Sequence, residues 1–121
     1  VSRTQFIEHK GKRILLMDFS NVLNPDDGLR YIEEARAVVA RQPEHSLRTL
    51  VYVEGARFDA RISRALKDFA MHNKPFVIAS AVVGLSGLHR VVLNAVTTFT
   101  RRHIPTFPTL DAAKDWLVEQ E

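Results

Sequence analysis

The stretch Ile14-Leu15-Leu16-Met17, set between Arg13 and Asp18, restricts the fold more than any other part of the chain. Four apolar residues in a row leave no side for water, so the stretch reads as a central strand covered on both faces. Thr4 to Glu8 also favours extended structure, and His9, Lys10, Gly11 and Lys12 suit a tight turn with glycine where the backbone bends most. A hairpin therefore opens the chain, its second arm being Arg13 to Asp18.

Helical and extended periods alternate from there. Asn24-Pro25-Asp26-Asp27 supplies an N-cap, a proline at the first helical position and two carboxylates at the positive end of a helix dipole. Leu29, Ile32, Ala35 and Val39 are the buried stripe of that helix, which runs to about Arg41 before Pro43. Leu47 to Val53 reads as a strand. After Gly55, a helix from about Asp59 to His72 turns Ile62, Leu66, Phe69 and Ala70 inward. Asn73-Lys74-Pro75 breaks it, Phe76 to Val83 is again extended, and Gly84 ends the strand. Ser86 then caps a helix whose Leu88, Val91, Val92, Ala95, Val96 and Phe99 form an apolar surface wide enough to be mostly covered. Ile104 to Phe107 reads as a short edge strand, which tolerates Pro105, and Thr109 caps a last helix through Ala113, Trp116 and Leu117.

The order ββαβαβαβα predicts an α/β fold: a single-layer mixed sheet, mostly parallel, with an N-terminal antiparallel hairpin and packed helices. With 121 residues and no linker or repeat, one domain over 1–121 is expected. Apolar residues at 45% and charged residues at 26% fit a folded domain. The chain has no cysteine, which excludes disulfides, thiolate metal sites and a cysteine nucleophile. No apolar run approaches the roughly 20 residues that cross a bilayer, and the first residues lack a signal pattern, so the expected location is the cytoplasm. The net charge is only +3. Its one dense basic cluster, Arg101-Arg102-His103, has no interleaved aromatics, which argues against nucleic acid as a partner. His9, His45, His72, His89 and His103 show no ligand spacing and are expected at turns or on helix surfaces, so neither a metal nor another cofactor is expected.

In an open parallel sheet the loops after the strands gather on one rim, where ligands commonly bind. Here that rim holds Asp18, Ser20 and Asn21 after one strand, Glu54, Arg57, Phe58, Asp59 and Ala60 after the next, and Gly84 and Ser86 after the third. Asp18 lacks the second aspartate and downstream basic partner of an aspartyl phosphatase. Asp59 reads as an N-cap, and nothing local separates its pKa from that of Glu54 as acid–base work requires. Gly84-Leu85-Ser86-Gly87 lacks the lysine of a P-loop and the third glycine of a dinucleotide site. No catalytic set is assembled, and the chain is not expected to be an enzyme. Arg57, Arg61 and Arg64, with Lys67 nearby, form a basic stripe that is either a solvated face or a docking stripe for an acidic partner or anionic lipid.

Three stretches carry a family resemblance: Leu50-Val51-Tyr52-Val53 leading into Phe58-Asp59; Ala81-Val82-Val83-Gly84-Leu85 before a helix; and Phe107 to Leu117, which reads F-x-T-x-x-x-A-x-x-W-L. With the element order, they make the chain resemble the STAS superfamily, in particular its SpoIIAA-like branch, whose naming overlaps with Sec14-type lipid-binding domains. In the regulatory members an aspartate and a phosphorylated serine follow the strand matching Leu50 to Val53. Asp59 matches the aspartate, and Ala60 holds the serine's place without a hydroxyl, so the resemblance implies the fold and not the phosphoswitch.

Two functions are then expected. The first is a non-catalytic protein-interaction or regulatory module that binds a protein partner or a second copy of itself through Asp18 to Asn21 and Arg57 to Arg64. The other is a domain for a small apolar ligand or lipid, with Phe58, Leu85, Leu88 and Phe99 lining a pocket under the same rim. Open sheet edges at the first hairpin and the last strand make a homodimer an expectation too.

Overall fold

The computed structural model describes residues 2–121; Val1, the first residue of the expected 1–121 domain, lies outside the described residues. Strands β1 (Thr4–His9) and β2 (Lys12–Asp18) pair antiparallel. Lys10 and Gly11 join them with φ of 49° and 81°, both left-handed, as a turn that follows the twist of the two strands requires. Then come α1 (Pro25–Ala40), β3 (Leu47–Tyr52), α2 (Ala60–Asn73), a 3-10 turn (Lys74–Phe76), β4 (Val77–Val83), α3 (Gly87–Thr100), β5 (Thr106–Phe107) and α4 (Leu110–Val118).

All five strands lie in one sheet in the order β1-β2-β3-β4-β5, parallel from β2 onward. Each crossover thus moves one strand further in the same direction. Right-handed crossovers that never reverse stack their helices on one face. Leu15 and Met17 of β2 accordingly pack with Ile32, Val39, Ile62 and Phe69 from α1 and α2. Ile14, Leu50, Ala81 and Val83 point the opposite way and pack under Ala113, Leu117 and Val118 of α4. The fully apolar run in β2 is explained: Leu15 and Met17 serve one face, Ile14 and Leu16 the other.

The helix caps are those read from the sequence. Asn24, Asp59, Ser86 and Thr109 each accept a hydrogen bond from a backbone N–H of the first turn. On the far side, Arg48 donates to the carbonyls of Leu117 and Gln120, and Lys12 Nζ donates to that of Val118, 2.8 Å away. These cations sit where the negative end of the α4 dipole favours them.

Two expectations are corrected. The last strand covers Thr106–Phe107 alone, because only Val82 and Val83 of β4 have partners there. Nor is the surface of α3 mostly covered: Leu88, Val91 and Phe99 are 74%, 66% and 52% exposed. One stripe of α3, through His89 and Val96, faces the protein and the adjacent apolar stripe faces solvent.

Candidate functional site

Most polar groups of the expected rim are engaged with one another. Asp18 accepts from the backbone N–H and the hydroxyl of Ser20, while Arg3 donates to the carbonyls of Asp18 and Ser20 at 3.1 and 2.9 Å. Main-chain bonds join neighbouring loops: Phe19 N–H to Tyr52 O, Asn21 N–H to Glu54 O, Arg57 N–H to Val22 O and Val53 N–H to Val83 O. Asn21 takes a left-handed φ of 56° beside Gly55. Tyr52 donates to Glu54 at 3.3 Å.

At the start of α2, Asp59 accepts from Ile62 N–H, which together with Arg61 holds its carboxyl below the usual range. Arg61 spans to Asp26 at 2.8 Å and Asp59 at 3.1 Å, tying the first turns of α1 and α2 together. It therefore belongs to a surface clasp, and Arg57, Ala60 and Arg64 are left exposed. The rule that a rim binds ligands relies on a crevice where strand order reverses. This sheet has no reversal; the loops after β2 and β3 are laced together, while beside them Glu54, Gly84 and Ser86 line an open, mostly polar groove of about 530 Å³ that reaches Phe107.

A smaller and more apolar space lies one layer deeper. Between the sheet and the pair α2 and α3 is a cavity of about 80 Å³, walled by Met17, Val51 and Val82 from the strands and by Leu66, Phe69, Val92 and Val96 from the helices. Phe58 and Leu85 line it as expected; Leu88 and Phe99 do not, because they stand on the outer stripe of α3. Few polar groups interrupt the wall. Thr49 and Ser80 bond hydroxyl to hydroxyl across β3 and β4, and Asn73 and Arg102 lie at the end of the cavity near the α2 C-terminus.

His89 overturns the expectation that every histidine sits at a turn or helix surface. It is 8% exposed and stacks on Phe58 with ring centroids 3.9 Å apart. Its Nδ1 is buried without a hydrogen-bond partner. A buried polar atom left unpaired costs about 1–3 kcal/mol, and here it sits on a side chain that lines the cavity. The spacing signal was present: His89, Val92 and Val96 repeat at i, i+3 and i+7, the buried period of the helix.

Burial pushes the His89 pKa below its ordinary 6.5. The unfolded chain then takes up this proton at a higher pH than the folded chain does, so stability falls as pH drops from that value toward the folded pKa. Between about pH 7.5 and 5, His89→Phe should lose less stability than the parent protein, measured by urea unfolding at each pH. An equal loss in both would show that His89 is not buried as a neutral group.

Among the described residues no group of three or more His, Asp or Glu side chains is placed to hold a metal ion, and no helix is long and apolar enough to cross a membrane. No protein-family model matches the chain, and no curated protein matches it. A solved structure of an uncharacterized protein from the DUF3478 family, with a SpoIIAA-like fold, from Shewanella loihica PV-4, is similar with a TM-score of 0.68. The likeness covers 94% of this chain and 91% of the other at 13% sequence identity. The chain thus has a SpoIIAA-like fold, as the resemblance in its sequence implied.

Proposed function

We propose that this protein, on its SpoIIAA-like scaffold, is a non-catalytic binding domain for a small apolar or amphiphilic molecule held between the sheet and α2 and α3. The observation that carries the reading is the apolar cavity with His89 Nδ1 unpartnered in its wall. Ligand sites combine a mostly apolar lining with a few placed polar groups, and this cavity has that composition. A space of about 80 Å³ is too small for more than a short group. A larger ligand enters by moving side chains of α3, whose outer stripe is exposed at Leu88 and Val91.

The test is an NMR titration of the whole chain with 1-decanol, followed at the methyl groups of Leu66, Val92 and Val96. Saturable shifts at these methyls are expected, and Val92→Trp, which fills the space, should weaken binding about tenfold or more. Shifts confined to Leu88 and Val91, on the outer stripe, would remove the proposal.

A second reading keeps the rim as a docking face for a protein partner or a second copy of the chain. It is favoured by Arg57, in the loop before α2, and by Ala60 and Arg64 in the first turns of α2, all exposed, with Arg57 and Arg64 in no ion pair among the described residues. Charge reversal of Arg57 and Arg64 together should then abolish self-association in sedimentation equilibrium, or capture of the partner. If both persist unchanged, the rim is not the docking face.

A further inference from the structure

We infer that the molecule bound in the cavity carries a carboxylate, held by Arg102, with its apolar tail directed between the sheet and α3. The inference rests on the cavity being the binding site and adds the chemical class of the ligand. Arg102 follows the left-handed turn at Arg101 that ends α3. Its Nη1 donates to the carbonyl of Ala70 at 2.9 Å and its Nη2 to Ser80 Oγ at 2.6 Å.

Both acceptors are neutral, and among the described residues no ion pair includes Arg102. A guanidinium has five N–H donors, so three remain after these two bonds. Burial lowers its pKa to about 10, and the group stays charged at neutral pH. A partly buried cation without a counter-ion is an unfavourable arrangement, relieved most directly by a planar anion that accepts two parallel hydrogen bonds.

The position of Arg102 gives such an anion a way in. Leu93, Arg102 and Ile104 line the cavity and also an open groove of about 430 Å³ between α3 and the chain entering β5. These three side chains separate the two spaces. The groove is further lined by Arg90 and His103 and by no acidic residue. An anion is therefore drawn to the groove side, and the apolar part of the same molecule meets the cavity once Leu93 and Ile104 turn aside. A phosphate, with its greater charge and third terminal oxygen, would find only one partly buried guanidinium here.

The test compares decanoate, 1-decanol and decyl phosphate by NMR titration of the full chain. Decanoate is expected to bind at least about tenfold more tightly than decanol, the range that a charge-assisted hydrogen bond supplies. Arg102→Met should erase that ratio, so that decanoate binds this variant no more tightly than decanol binds the same variant. If that variant does not fold, exposed Arg90→Gln replaces it and should weaken decanoate at low salt without affecting decanol. Equal affinity of decanoate and decanol overturns the carboxylate and leaves the cavity reading standing. Tighter binding of decyl phosphate than decanoate also overturns it. If none of the three shifts the cavity methyls, the cavity reading fails as well.

Discussion

Gly84→Ala is expected to destabilise the protein by roughly 3 kcal/mol or more, from backbone strain and a steric clash acting together. Gly84 has φ of 91°, where a side chain is already strained, and a Cβ there would lie 2.7–2.9 Å from the backbone and Cβ of Glu54. Neither neighbour can retreat freely, because Glu54 O is bonded to Asn21 N–H and Val83 O to Val53 N–H. Gly11→Ala separates the two causes. Its φ is 81°, but nothing lies within 4 Å of its added Cβ, so only the strain of about 1–2 kcal/mol remains. Urea unfolding of both variants reads the difference, and equal losses would show that the contact with Glu54 contributes nothing.

Leu50→Ala should cost about 2–5 kcal/mol, as large-to-small changes do in a closely filled core. Leu50 is fully buried on the α4 face, packed with Ile14, Ala81 and Leu117. Removing its side chain opens a void that the strands and α4 cannot close. Leu66→Ala removes the same atoms from a half-buried residue that already borders the cavity. Its cost should be the smaller by at least about 1 kcal/mol, since fewer packing contacts are lost. Thermal unfolding of the pair measures how tightly each face of the sheet is filled. If Leu66→Ala costs as much as Leu50→Ala, the cavity is not a looseness of the native packing.

What was legible in the sequence follows the range of the interactions involved. Asn24, Asp59, Ser86 and Thr109 were readable because a cap binds a backbone N–H two or three residues away. The double-sided burial of Ile14 to Met17 was readable because a strand alternates its faces. The one-directional strand order was not, and with it went the knowledge that the loops after β2 and β3 would be laced together and that an apolar space would lie beneath them. Arg102 carries no local sign of its burial, since its place is set by Ala70 and Ser80, 32 and 22 residues away. His89 was within reach, because it shares the period of Val92 and Val96; its polar character concealed it. Leu88 and Phe99 misled for the opposite reason, being apolar on a stripe that the fold leaves to solvent.

The main-chain bonds between the loops after β2 and β3, and from Val53 to Val83 at the end of β4, also constrain how a scaffold of this kind can diversify. A residue inserted in one loop would pull its amide or carbonyl out of register with the neighbouring loop, so a change of length there has to be matched next door. The turn at Pro43 to Ser46, exposed apart from Gln42 and Leu47 at its ends, is under less of that obligation, although His45 and Ser46 each donate one backbone bond to the 3-10 turn. New specificity in descendants of this chain is therefore expected to arise by exchange of side chains under α3, and new length to be added at the opposite end of the sheet.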